Sequence, residues 1–218
     1  EMVIRDEQLL PWPRTPLAVQ TMLAEYYRYI SYLDHQVGRI LDALEKSPDA
    51  KNTLIVFAAD SGVARGSHGL IGKQNVYEHS VRVPLIVAGP GVKAGACSHV
   101  RVSATDLFST FAELAGLREA LPAGIEGGSI ASLLKNDGRG DVKRPREELV
   151  FHFPHYQGDT PHSAIFLGDL KLLHFYEDNH DELYDLAQDI GEKQDLIERE
   201  LEVTEIHGPG MGPSAFPM

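Results

Sequence analysis

The sequence predicts an α/β fold with a mainly parallel sheet, followed by a small antiparallel C-terminal subdomain. Three observations lead there. Residues 53–59 (Thr-Leu-Ile-Val-Phe-Ala-Ala) are apolar on both faces and rich in β-branched side chains, as a strand covered by helices must be. They stand in the order helix, apolar run, loop, apolar run, helix, which is an α/β arrangement. From residue 149 onward the pattern changes to four short strand-like runs separated by turn residues, the mark of an antiparallel meander.

Residues 1–15 carry Pro11 and Pro13 and no periodicity, and read as a loop or cut end. A helix then begins, with Thr15 as N-cap and Pro16 at the first helical position, where a missing N–H costs nothing. Tyr26, Tyr29, Ile30, Leu33, Val37, Ile40, Leu41 and Leu44 recur at spacings of three and four, one stripe of a long amphipathic helix that Ser47-Pro48-Asp49 closes. The strand at 53–59 ends at Asp60-Ser61-Gly62. Residues 61–83 form a Gly- and His-containing loop, of a length uncommon without function. Residues 84–88 are a second short strand, stopped by Gly89-Pro90-Gly91. Ser103-Ala104-Thr105-Asp106 opens another helix, with Leu107, Phe108, Phe111, Leu114 and Ala115 on one face and Gly116 as its C-cap. The polar, turn-rich stretch 135–147 marks a boundary. The expected organisation is therefore an α/β part over 16–135, a C-terminal subdomain over 136–206, with strands at 149–153, 163–167, 171–176 and 182–186, and a disordered tail at 207–218.

Composition narrows the function classes. With 43% hydrophobic and 24% charged residues, the 218-residue chain is neither a disordered tail, a collagen-like fibre nor a coiled coil. Its charge is 20 − 32 = −12 with no Lys/Arg block, which argues against nucleic acid as the main partner. No apolar run approaches the roughly 18 residues of a membrane span, and residues 1–16 have no apolar core of a signal peptide. The single Cys97 cannot form an internal disulfide.

The chemistry points to the end of the first strand. Ligand sites in open α/β sheets lie beyond the carboxyl ends of strands, so Asp60 stands where a hard-oxygen ligand for Ca²⁺ or Mg²⁺ would stand. A turn-capping role with Gly62 is the alternative reading. Downstream, His68 and Lys73 follow in Gly66-Ser67-His68-Gly69 and Gly72-Lys73. A metal, a cation and an imidazole around one pocket would suit an anionic ester, although a solvated loop contains such residues too.

The stretch 57–87, with Ala59-Asp60-Ser61-Gly62, His68-Gly69, Lys73 and Tyr77-Glu78-His79-Ser80-Val81-Arg82-Val83-Pro84, resembles the second metal-site segment of the type I sulfatases of the alkaline-phosphatase superfamily. Further blocks agree in order: Leu33-Asp34-His35-Gln36-Val37-Gly38-Arg39-Ile40-Leu41, Gly89-Pro90-Gly91, Ser103 to Gly116, Lys171-Leu172-Leu173, and Glu182-Leu183-Tyr184-Asp185-Leu186 with Asp189 and Glu192. The resemblance covers about residues 20–200 and implies the back part of a sulfatase-like α/β sandwich. It implies that Asp60 ligates a divalent metal, usually Ca²⁺, and that Lys73 contacts the substrate sulfate. His68 would lie near the leaving group or substrate, and His155, in the run leading into the second layer, could touch a sugar. Tyr77, Glu78, Arg82 and Pro84 read as structural anchors, and Asp106 as a helix cap. The implied activity is hydrolysis of a sulfate ester, on a carbohydrate or small alcohol, in a periplasmic or extracellular setting.

Two departures accompany this resemblance. Ser61 stands where the family has Asn or His as a metal ligand, and a hydroxyl is the weaker donor. The family's Asp-Asp pair and its Cys/Ser-x-Pro-x-Arg signature, whose Cys or Ser becomes the formylglycine nucleophile, have no counterpart before Tyr26. Cys97-Ser98-His99-Val100-Arg101 mimics that signature, but His99 replaces the proline and the segment lies in a surface connection, so Cys97 reads as an ordinary loop thiol. The 218 residues are accordingly expected to be one piece of a longer chain and inactive by themselves. A phosphomonoesterase or phosphodiesterase of the same superfamily and a non-catalytic binding module are the competing expectations.

Overall fold

The computed structural model describes residues 7–10, 12–156 and 160–197. The tail expected at 207–218 and part of the loop expected at 1–15 lie outside the described residues. The described chain divides into two compact units, each discontinuous in sequence. One holds residues 20–60 and 84–147, and the other holds 7–19, 61–83 and 148–197.

Helix α1, Pro16–Glu45, begins where the sequence marks it: Thr15 Oγ1 accepts the Ala18 N–H at 3.2 Å and the Thr15 carbonyl accepts the Val19 N–H at 3.1 Å. In the first unit, strand β1 (Ile55–Ala58) pairs with strand β2 (Leu85–Ala88), with Ile55 opposite Ala88 and Ala58 opposite Leu85. This pair is antiparallel, and among the described residues no parallel pair occurs, which corrects the expectation of a mainly parallel sheet. The physical reason is plain. An apolar run specifies burial on both faces but carries no direction, and the chain that leaves Ala58 re-enters beside it at Leu85, as the two arms of a hairpin do. Gly89 follows β2 because a Cβ there would lie 2.6 Å from the Thr53 carbonyl oxygen.

Helix α3, Thr105–Leu114, ends in a Schellman motif: Gly116, at φ +73°, donates to Glu113 O, while Leu117 N–H reaches Ala112 O. Asp106, fully buried, does more than cap. Its carboxylate accepts the Ser103 N–H at 2.7 Å and the Gly128 N–H at 2.8 Å. It also holds Arg144 through Nε at 2.9 Å and a terminal nitrogen at 2.5 Å. One side chain thus gathers the start of α3, the approach to helix α4 (Ala131–Lys135) and the polar stretch at 144.

The second unit is built on the expected meander. Strands β3 (Leu149–Phe153), β4 (His162–Leu167), β5 (Leu170–Phe175) and β6 (His180–Asp185) pair antiparallel in chain order. Alternation assigns the faces. Phe151, Phe153, Ala164, Phe166, Leu173, Phe175 and Tyr184 share the core face, and Val76 and Tyr77 of the long loop complete that core. The loop is joined to the sheet by polar contacts too. His162, fully buried, accepts the Val76 N–H on Nε2 at 3.1 Å while its Nδ1 faces the Thr160 carbonyl, which fixes the neutral Nδ1–H tautomer.

Candidate active-site loop

Residues 61–83 form a closed structure in the second unit. The Gly62 N–H donates to Ser80 O at 2.8 Å, so the first and last parts of the segment are pinned together. A side chain at Gly62 would put its Cβ 2.0 Å from the His79 carbonyl oxygen; glycine is there for this approach, whatever Asp60 does. Inside this closure, Ala64 N–H reaches Gly72 O at 2.8 Å and Gly66 N–H reaches Leu70 O at 2.9 Å, and Ala64 and Ile71 are buried. Gly66 takes φ +109° and His68 φ +53°, which turns the tip back on itself.

His68 is folded against the body of the unit. Its ring stacks on Tyr77, 4.2 Å between centroids and 16° between planes, and its side chain is 21% exposed. Burial pushes its pKa below the usual histidine value, with Lys171 acting in the same sense. The Glu182 and Asp189 carboxylates and the Gly191 carbonyl act against it. Lys73 follows the closure directly and is exposed. Its ammonium makes no hydrogen bond or ion pair among the described residues, although its backbone N–H donates to Gln74 Oε1 at 3.1 Å. The segment's final turn, helix α2 (Glu78–Val81), begins at Tyr77, whose hydroxyl donates to the Glu182 carboxylate, as Tyr184 does at 2.9 Å.

The remaining sequence-predicted residues lie as follows. Asp60, exposed, is the last residue of the first unit, two beyond β1, and Ser61 opens the second. Within the second unit, His68 and Lys73 share one closed loop. His155 is exposed, edge-on to Phe153 with centroids 5.8 Å apart. Cys97 is an exposed thiol. For a metal, the donor set decides. A calcium ion takes six to eight oxygens, and Asp60 and Ser61 offer one carboxylate and one hydroxyl. Among the described residues no group of three or more His, Cys, Asp or Glu side chains could hold an ion. The described residues alone therefore do not make a metal centre.

Sequence reasoning treated Lys171 and Glu192 as family blocks without a role. In the structure Lys171 is fully buried, its Nζ 2.5 Å from Glu192 Oε1 and 3.2 Å from Glu78 Oε1. The signal was available: in Leu170-Lys171-Leu172-Leu173-His174-Phe175 a period of two puts Lys171 on the face of Leu173 and Phe175.

Comparison with known proteins places this loop. A family model described as Sulfatase matches residues 5–117, and one described as N-sulphoglucosamine sulphohydrolase, C-terminal, matches 66–207. An N-acetylglucosamine-6-O-sulfatase of Bacteroides thetaiotaomicron is 30% identical over 198 residues, which are 89% of this chain and 34% of that protein. The solved structure of a 2-O GAG sulfatase superposes with a TM-score of 0.78 at 30% identity, over 92% of this chain and 43% of that one. A phosphonate monoester hydrolase of Agrobacterium radiobacter gives 0.73 at 26% identity, over 88% and 40%. The chain thus spans about a third of the length of the curated relative it matches. Two overlapping family models, covering the closed loop and the meander that anchors it, show that this chain belongs to the sulfatase family.

Proposed function

We propose that this chain supplies the substrate-facing loop of a sulfuric ester hydrolase acting on sulfated carbohydrates. The observation that carries the reading is Lys73. Both matching family models span it, and its exposed ammonium, directly after the closed turn, has no anionic partner among the described residues. An ammonium held there neutralises charge that grows on the sulfuryl oxygens as the ester bond breaks. Asp60 would contribute one carboxylate to a divalent cation, Ca²⁺ or Mg²⁺, with Ser61 beside it and the other ligands from outside the described residues. The family's formylglycine hydrate would supply the nucleophilic oxygen that displaces the alcohol. His68, neutral near pH 7, would hold or pass a proton at the leaving-group side, and His155 would meet the sugar. The carbohydrate class is supported by the sulfated sugars named for the relatives. A periplasmic or extracellular setting belongs to this reading.

The test is the reading frame upstream of Glu1 and the protein it encodes. An in-frame Cys- or Ser-x-Pro-x-Arg run, with release of inorganic sulfate from glucosamine 6-sulfate, supports the reading. Lys73→Ala in that protein is expected to lower kcat/KM about 10²–10³-fold. A second reading, phosphate or phosphonate ester hydrolysis, is favoured by the likeness to the phosphonate monoester hydrolase. A Thr or Ser nucleophile without the signature, and turnover of a phosphonate monoester instead, would establish that one.

A further inference from the structure

The meander's buried Lys171–Glu192 pair meets the tip of the active-site loop at one point, and we infer that Glu192 is a positioning residue for His68. The inference rests on the reading of His68 as a site residue given above.

The geometry is shared out over one carboxylate. Glu192 Oε1 takes Lys171 Nζ at 2.5 Å, and Oε2 accepts the Glu78 N–H at 2.7 Å and lies 3.9 Å from His68 Nε2. Lys171 also sits over the Phe166 ring, 4.9 Å from its centroid. Glu192 reaches this place from a turn built for the purpose. Asp189 Oδ2 accepts the Lys193 and Gln194 N–H groups at 2.7 Å each, and Asp189 O accepts the Glu192 N–H at 3.1 Å. Asp195 Oδ1 and the Leu183 backbone then fasten the turn to β6. Glu192 has φ +51° and His68 φ +53°, so two non-glycine residues in the sparsely populated left-handed region face each other. Such conformations persist where the surroundings over-determine them.

Stability does not account for this arrangement. Replacing a buried ion pair with apolar residues of similar volume is often neutral or stabilising, so an apolar filler would serve the core of the meander equally well. What the ions add is direction. A carboxylate fixed by Lys171 and the Glu78 amide presents one oxygen to the imidazole, while Tyr77, itself held by Glu182, stacks on the imidazole ring. The groups facing His68 are Tyr77, His79, Glu182, Asp189, Glu192, Lys171 and the Gly191 carbonyl.

The test uses NMR of the His68 ring in the 218-residue chain, with amide exchange across residues 64–73. Glu192→Gln keeps the volume and the acceptor for the Glu78 N–H but removes the charge. It is expected to lower the His68 pKa by about half a unit or more and to speed exchange at the loop tip at least about tenfold. A purely structural role would lower the melting temperature without moving the His68 titration beyond what an equally destabilised core variant away from the pair, Leu186→Ala, shows. Unchanged titration and exchange in Glu192→Gln overturn the inference. Should that variant not fold, Glu192→Asp, one methylene shorter with its charge kept, is expected to weaken the Tyr77 ring-current shift on His68. An unchanged shift overturns the inference equally. Sulfate release by the longer protein separates this from the proposed function: coupling in the chain with kcat/KM unchanged in Lys73→Ala overturns the site reading alone, and loss of activity in Lys73→Ala without coupling overturns the positioning role alone.

Discussion

At the scale of single residues, a lysine flanked by leucines points inward because the strand's period of two leaves it no other direction. That burial is tolerable only with anions in reach. Lys171→Met leaves Glu192 buried without its cation and is expected to cost about 3–5 kcal/mol in urea unfolding, most of it recovered in the double variant with Glu192→Leu. Burial holds the Glu192 carboxyl above its usual value, against the pull of Lys171 and the Glu78 amide. His68 is displaced the other way. Its folded-state pKa lies below 6.5, so the folded chain binds fewer protons there than the unfolded one. The resulting stabilisation is complete above pH 6.5 and is lost as pH falls through the folded-state value. Melting temperature measured from pH 7.5 to pH 5 is expected to fall less steeply in His68→Asn than in the parent chain. Asp60, His68 and Lys73 stand out locally by a strand end and a glycine-rich loop, but their proposed roles, and that of His155, come from the resemblance of several blocks in order. The partnership of residues 68, 78, 171 and 192 could not be read from the sequence, since nothing in a linear pattern tells which of several carboxylates a buried lysine will meet.

Among the elements, the meander was the most legible. Alternation and the Gly168-Asp169 turn give four strands within one or two residues of those observed, because a one-residue slip would turn every core side chain outward. The β1–β2 pair was less so. Four-residue apolar runs encode burial without orientation, and only the chain's return beside Ala58 makes the pair antiparallel. Helix α3 was found by its stripe and its Gly116 terminus, but Asp106 proved to be a junction between three segments, information spread over 38 positions of sequence. Asp106→Asn strips the charge from a fully buried acceptor of Arg144 and is expected to cost about 3 kcal/mol or more in thermal unfolding. At Gly62, alanine would press a methyl group on the His79 carbonyl. Destabilisation of about 1–3 kcal/mol in the same assay is expected.

Over the whole molecule, apolar surface is unevenly distributed. In the first unit Ile30, Leu33, Ile40 and Leu41 of α1, Phe57 and Ile86 of the two strands, and Phe108, Phe111 and Leu117 in and after α3 are exposed. Leu41, Leu44, Ala50 and Ile55 line a shallow groove in the same unit. The helix stripes and the strand at 53–59 were read from the sequence as faces to be buried, and the described residues cover them only in part. Large apolar side chains exposed in this number within one unit favour association. The 218-residue chain is therefore expected to bind a hydrophobic dye under native conditions and to self-associate in sedimentation velocity, with Ile86→Lys plus Leu117→Lys reducing both.

The register of β1 and β2 has a practical corollary. Since Ala58 and Leu85 are cross-strand partners, the 26 residues between them leave and rejoin their sheet at neighbouring points. For that sheet the segment is a detour. An Asn-Gly reverse turn could close the two strands without it, but the meander would then lose Val76 and Tyr77 from its core, so the detour is kept by the other unit and not by the pair it interrupts.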